Sequence, residues 1–356
     1  MSTAIIMFIA ALFFASIGTP AARRVAFKLG LISMPRDDRS HKEPTAMLGG
    51  VAIYLGATVA LVLGGIGAWS FLGGWKNLDE LASILAGATV MSAVGLWDDR
   101  VRLKPLAKLL PQFVAVALPI LAGVHVQLPL PLPINIGLTA LWVLYVTNAI
   151  NFSDNMDGVA AGIAFIAAAF FTLIAAVNGQ HLVATLAAAV MGACVGFLRY
   201  NLPLPHASIF MGDAGSLFLG FILANLGIKL RFPENVNFVT WMVPVLVLGM
   251  PLFDTTMVFI SRLRRGVSPL QGGTDHTSHR LARIGLGPLG ATLTLDLLSG
   301  ALGMIAMFVM QADLVEGYIM GGLTFLVACY ILWRLDWRLS YKMRTGQDRQ
   351  QNTATE

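Results

Sequence analysis

Long apolar runs joined by short polar connections leave this chain one class of fold. The runs fall at residues 4–21, 47–67, 80–97, 106–123, 134–152, 158–177, 182–199, 213–230, 239–260, 288–310 and 315–333. A helix of about 20 apolar residues crosses a bilayer, because it pairs every backbone N–H and C=O within itself. The pattern therefore predicts an all-α polytopic membrane protein of about eleven transmembrane helices. Composition agrees: 56% of the 356 residues are hydrophobic and 12% charged, with a mean hydropathy of +0.74. A soluble domain carries about 25% charge. Cys194 and Cys329 both lie inside apolar runs and read as small packing residues rather than a disulfide or metal pair. The run from Ala4 has no basic leader and no convincing cleavage site, so it reads as the first span rather than a removed signal.

An odd number of spans puts the two termini on opposite faces, and the basic residues say which. All of the 24 lysines and arginines except Lys76, Lys229 and Arg231 fall in or beside connections after odd-numbered spans, or in the tail. Cations gather on the cytoplasmic side, so the N-terminus is expected outside and the C-terminus in the cytoplasm. The same face collects Asp98, Asp99, Asp154, Asp157, Asp213, Asp275, His276 and His279, with Asp254 about two turns inside the ninth run. After Trp333 the chain turns basic and polar, a cytoplasmic tail over 334–356 whose Arg334, Arg338 and Lys342 lie near anionic headgroups. The rest, 1–333, reads as one transmembrane domain.

Polar residues crowded at the ends of membrane helices are costly unless they do something. Asn148 to Gly158 holds Asn148, Asn151, Asp154, Asn155 and Asp157 between two apolar runs. A plain polar connection would need fewer of them, although Asn, Asp and Gly are ordinary turn residues. Asp98 and Asp99 close the third run, just before Arg100, Arg102, Lys104 and Lys108. Acids at a helix C-terminus oppose its dipole. The pair is either charge balance or a place for a divalent cation or a general base, with the cations suited to phosphate. Met211 to Ser216 opens the eighth run around Asp213. Asp213 is either an N-cap or, with its small neighbours, a point where a bulky ligand approaches the backbone and its free N–H groups.

The connection from Ser261 to Gly287 is the longest and most polar, with five arginines and Asp275, His276 and His279. Zinc would want a thiolate or third histidine nearby. Hydrogen bonding to phosphate or sugar fits better. His41 stands in a similar neighbourhood with Lys42, Pro44, Gly49 and Gly50, whereas His125, His181 and His206 lack such company. A pI near 9.4 does not imply nucleic acid here, since the cations are spread along a membrane face without a binding motif. No P-loop or dinucleotide fingerprint is present.

Together these residues resemble the polyprenyl-phosphate N-acetylhexosamine-1-phosphate transferases, glycosyltransferase family 4. The resemblance is carried by Ser40 to Thr45 with Gly49-Gly50, Gly95 to Asp99, Lys108-Leu109 with Gln112, Asn148 to Gly158, Met211 to Gly220, Pro251 to Thr255 and Arg264 to Leu281, in family order. Eleven spans with an inside C-terminus resemble the N-acetylglucosamine-1-phosphate branch. The muramoyl-pentapeptide branch usually has ten spans and an outside C-terminus.

The resemblance implies transfer of a sugar 1-phosphate, expected to be N-acetylglucosamine 1-phosphate, from a UDP-sugar to undecaprenyl phosphate, releasing UMP and starting a cell-envelope glycan. It implies magnesium, with manganese as a substitute, and a site facing the cytosol. The expected partners are the UDP-sugar, undecaprenyl phosphate and the bilayer, with a second copy of this chain as a further candidate and no nucleic acid. By family position, Asp213 and Asp157 would serve the metal. Asp98 and Asp99 would be catalytic, with Asp99 deprotonating the lipid phosphate. Asn151, Asp154, Lys108, Arg265, His276, His279, Arg280 and His41 would contact substrate. The family's histidine cluster is reduced here, with Thr277 and Ser278 between His276 and His279.

A transporter of anionic solutes would place its carriers near the membrane midplane, and a scaffold would need none of these clusters. The topology has a direct test. A cysteine introduced by Thr345→Cys stays unlabelled by an impermeant thiol reagent on intact cells and labels after permeabilisation, while Asn77→Cys labels from outside. Labelling of position 345 on intact cells would reverse the orientation.

Overall fold

The computed structural model describes residues 2–34, 44–72, 78–202, 204, 206–235, 237–269 and 273–338. The fold is a helical bundle around one buried helix. That helix, α8 (Asp213–Lys229), is buried continuously from Ala214 to Ile228. A helix apolar on every side has no face to give to lipid or water, so the others surround it. Chain order gives α1 (Ser2–Leu29), α2 (Gly49–Leu72), α3 (Leu78–Val101), α4 (Pro105–Leu121), α5 (Leu132–Ser153), α6 (Val159–Val177) and α7 (His181–Asn201) before it. After it come α9 (Asn237–Thr240), α10 (Met242–Val247), α11 (Gly249–Arg264), α12 (Thr277–Leu281), α13 (Gly287–Gln311) and α14 (Leu314–Trp333). Helices α2, α3, α5 and α6 pack on α8, α1 packs on α2 and α7, and α13 packs on α6 and α10. Helix α14 is peripheral, with Gly317 its single buried residue.

Among the described residues, eight helices are long and apolar enough to cross a membrane, nine if a bent pair counts as one span. The expected boundaries hold to within a few residues, apart from α1, which runs on to Leu29, and the ninth run. That run does not form one straight helix: Phe238–Val247 and Gly249–Arg264 meet at 77°. Pro251 has no N–H to give the Val247 carbonyl, which removes the bond a continuous helix would need there. The packed chain also continues past Trp333. Residues Arg334–Arg338 form a further wide helical turn in which Leu335 and Asp336 are buried, so the tail is anchored for five residues beyond the expected boundary.

Two short strands, absent from the sequence expectation, set the register at the polar end of α8. Ile32–Ser33 pairs antiparallel with Thr45–Ala46, and Ala46 bridges to Ile209. The Phe210 N–H donates to the Ala46 carbonyl at 2.8 Å, while Gly49 and Gly50 donate to Phe210 and Met211 at 3.0 and 2.8 Å. These bonds deliver the chain to Gly212 and Asp213. Gly95 then lets α3 lie directly on the first turn of α8, since a Cβ there would overlap the Asp213 carbonyl and the Ala214 nitrogen.

Gly95→Val should therefore push α3 off α8. Overpacking of this kind costs roughly 1–3 kcal/mol, expected as a lowered melting temperature in detergent together with loss of activity. A variant as stable and active as the parent would show that the two helices need not touch.

Candidate active site

The N-terminus of α8 is occupied by a carboxylate from another helix. Asp99, in the last turn of α3, accepts the N–H of Asp213 at 2.9 Å and that of Ala214 at 3.3 Å. Free N–H groups at a helix start attract anions, and here Asp99 is that anion. Gly212 makes room for it: its φ is +72°, and a Cβ would come within 2.7 Å of the Asp99 carboxylate. The sequence reading left those N–H groups open to a ligand or to Asp213 as a cap, and it gave Asp99 the role of proton acceptor. In the structure each Asp99 oxygen accepts one of these N–H groups, which holds the first turn of α8 and presents Asp213.

Lys108, from the first turns of α4, sits among three oxygen acceptors. It bonds Asp98 at 3.0 Å, Asn151 at 3.0 Å and Asp213. Asp98 also accepts the Leu103 N–H at 2.6 Å, so the neighbouring acids of α3 part ways: Asp99 turns to α8 and Asp98 to Lys108. Asn151, in the last turn of α5, donates to Asp213 at 2.9 Å and to Ser216 at 2.8 Å. One turn along α4 and α5, Gln112 and Asn148 pair through their amides, with Asn148 donating at 2.8 Å. Two rungs of side chains thus hold α4 to α5 beneath the site.

Asp154 and Asp157 lie in the turn between α5 and α6. Asp154 accepts the Gly212 N–H and lies within electrostatic reach of Asp213, Asp99 and Asp157, which places it between the two expected metal ligands. Burial, reinforced by those three acids, holds its carboxyl well above the ordinary range. Asp157 accepts the Ala207 N–H, and burial pushes it up to about 6. The side chains that could ligate a metal here present oxygen: Asp98 and Asp213 bond one ammonium, and Asp99 and Asp154 lie beside Asp213. Such a hard, acid-rich set fits magnesium. Among the described residues no three side chains form a complete cage, and magnesium needs only one or two carboxylates when phosphates supply further ligands.

The histidine segment joins this cluster through Ser278, which donates to Asn155, and α13 joins it through Thr292, which donates to the Asp157 carbonyl at 3.0 Å. His276 is buried and bonds Asp254 of α11 at 2.7 Å. The His279 ring lies 6.5 Å from it, edge to face. Arg265 bonds Asp275 at 2.5 Å, as does Arg262 at 2.7 Å. With Arg283, Gly273 and Thr274, they line a cavity of about 250 Å³. Arg280, expected at the substrate, makes its bonds within the fold. Its guanidinium is buried and donates to the Asp275 carbonyl, the Leu335 carbonyl and Ser261, beside Asp336, so it ties the histidine segment to the end of α14. His41 lies outside the described residues.

Three participants were not assigned from sequence. Asp254 carried the signal of a carboxylate within an apolar run. Ser216 and Asp336 carried none, the first because serine is common in helices and the second because a tail acid among arginines looks like charge balance.

The raised Asp157 pKa has a stability consequence with a definite sign. The unfolded chain releases this proton near 3.8 and the folded one near 6. Stability from this group is therefore greatest below 3.8, falls between the two values and stays low above 6. Asp157→Asn should raise stability at pH 7–8 in chelator by up to about 3 kcal/mol, read as a higher melting temperature, and the gain should vanish below pH 4. An equal gain at both pH values would mean Asp157 is not held protonated by burial.

The sequence profile of glycosyl transferase family 4 matches residues 81–231, a stretch running from α3 to just past α8. The chain is 30% identical over 319 residues to a Bacillus subtilis (strain 168) protein named a probable undecaprenyl-phosphate N-acetylglucosaminyl 1-phosphate transferase, covering 87% of this chain and 86% of the relative. It is 31% identical to a decaprenyl-phosphate N-acetylglucosaminephosphotransferase of Mycolicibacterium smegmatis, over 74% of this chain and 71% of the relative. A Yersinia pestis undecaprenyl-phosphate alpha-N-acetylglucosaminyl 1-phosphate transferase is 25% identical over 90% of this chain and 88% of its own length. With the acid cluster built on the segments that carry the resemblance, the chain belongs to the polyprenyl-phosphate N-acetylhexosamine-1-phosphate transferase family, in its N-acetylglucosamine-1-phosphate branch.

Proposed function

We propose that this protein transfers N-acetylglucosamine 1-phosphate from UDP-N-acetylglucosamine to undecaprenyl phosphate, releasing UMP and starting a cell-envelope glycan. The observation that carries this reading is the carboxylate cluster at the start of α8, facing Lys108 and linked by the Ser278–Asn155 bond to the segment beside an arginine-lined cavity. The named activities of the Bacillus and Yersinia relatives support N-acetylglucosamine over a muramoyl-pentapeptide donor.

In the reaction an oxygen of the lipid phosphate attacks the phosphorus that carries the sugar. The bond to the uridine-side phosphate breaks, and UMP leaves with its electron pair. Both reactants are anions, so charge control decides the rate. Magnesium, when bound, offsets the diphosphate charge and steadies the leaving UMP. Asp213 would be its principal protein ligand, with Asp157 and Asp154 assisting. Asp99 positions Asp213 by holding the first turn of α8. Lys108 lies where it can pass from Asp213 to a phosphate oxygen, and Asp98 keeps its ammonium in place. A lipid phosphate that is already a dianion needs little proton removal, and each of the adjacent acids already accepts two bonds, Asp98 from Leu103 and Lys108 and Asp99 from Asp213 and Ala214. Arg265, with Arg262 and Arg283, offers charge-assisted bonds to nucleotide phosphates, and His276 and His279 face phosphate or sugar.

The topology belongs to the same proposal. Eight long helices, the bent pair and the two shorter helices α4 and α8 make eleven spans of one catalytic domain, in the inner membrane with the site facing the cytosol. The basic residues on one face support the orientation, and soluble UDP-sugar reaches that face.

Asp213→Asn keeps shape and loses charge. Turnover, read as UMP release from UDP-N-acetylglucosamine and undecaprenyl phosphate, is expected to fall roughly a hundredfold or more, and nucleotide binding to lose its magnesium dependence. Binding and turnover with the parent's magnesium dependence would place the metal elsewhere.

A further inference from the structure

Asp254 is a membrane-helix carboxylate that the reaction described above does not use. It lies in α11, just beyond the 77° elbow, and is 5% exposed. One oxygen is 2.7 Å from Nδ1 of His276, and the other accepts the Thr277 N–H at 2.6 Å. The backbone N–H can only donate, and an ionised carboxylate can only accept. The proton shared with the imidazole therefore sits on Nδ1, and Nε2 is left for another partner. In that tautomer Nε2 carries a lone pair, an acceptor suited to a hydroxyl or amide N–H of a sugar. The other groups around the ring are His279, Asp275 just before it and the arginines of the neighbouring cavity.

We propose that Asp254 is a positioning residue: it fixes the ring and proton of His276 so that the Nε2 lone pair accepts a hydroxyl or amide N–H from the sugar of the nucleotide sugar. The proposal rests on the reading that this segment contacts substrate. Its rival is a purely structural staple between α11 and the histidine segment.

Asparagine separates the two. In Asp254→Asn the Thr277 N–H still requires an oxygen, so the amide NH₂ turns to Nδ1. A donor there drives the ring proton to Nε2 and removes the acceptor, the same tautomer trap that disables a triad aspartate changed to Asn. Shape and both contacts survive, so a staple would be nearly unaffected.

The test measures UDP-N-acetylglucosamine affinity, KM, kcat and melting temperature in Asp254→Asn, His276→Ala and the double variant. Asp254→Asn is expected to weaken affinity and raise KM roughly tenfold or more, with kcat and melting temperature near the parent's and uridine affinity unchanged. Asp254→Glu should recover part of the loss. The double variant should be no worse than His276→Ala, because Asp254 acts through that ring. Parent-like affinity in Asp254→Asn, or losses that multiply in the double variant, would overturn the positioning role. Parent-like affinity in His276→Ala would instead overturn the substrate-contact reading. Should Asp254→Asn not fold, His276→Asn decides: its amide replaces Nδ1–H and nothing replaces Nε2. Retained stability with lost affinity supports the proposal, and retained affinity overturns it.

Discussion

The ammonium of Lys108 bonds Asp98, Asn151 and Asp213 at once, and the rest of the site depends on it. Four carboxylates brought together at the end of a buried helix would repel one another and lose hydration. One cation, the N–H groups opening α8 and the amide of Asn151 make the cluster tolerable. The negative charge left over is what would draw a divalent ion and, with it, a diphosphate. Removing the ammonium would leave carboxylates facing carboxylates, a far larger change than losing one surface charge.

That cluster can exist because α8 is gripped on every side. Its continuous burial fixes the axis, and the contact at Gly95 fixes how closely α3 approaches. The bonds from Ala46, Gly49 and Gly50 to the segment before Asp213 fix its rotation. On the far side, Asp254, Asp275 and Asp336 perform a similar service for the arginines and histidines, each acid holding a cation or a ring in a set direction. The site is two rigid half-shells, one acidic and one basic, meeting at Asn155 and Ser278.

Sequence alone exposed the membrane class, most helix boundaries and the acidic half of the site, because a carboxylate at a membrane helix end is conspicuous by its cost. Asp98, Asp99, Asn151, Asp154, Asp157, Lys108 and Asp213 were all legible as members. Their division of labour was not. Whether Asp99 turns to α8 or to the cleft is decided by helix rotation, and neighbouring residues on a helix point about 100° apart. The 77° elbow was hidden because its proline lies in an apolar run, and transmembrane helices often tolerate proline. Arg280 misled for the opposite reason. An arginine beside histidines reads as a ligand contact, yet its partner, Asp336, is 56 residues further on.

The bond from the Asp213 N–H to Asp99 joins residues 114 apart in the chain. During synthesis α3, α4 and α5 precede α8, so Asp99, Lys108 and Asn151 are made before their shared partner. Only when α8 follows can these side chains meet on Asp213, and α11 and α12 come later still, before the histidine segment can pack against Asn155. Contacts of such long separation form late, after the loops between them have been closed. Assembly order thus acts as a safeguard: a chain interrupted before its eighth helix carries most of the reactive side chains and no centre.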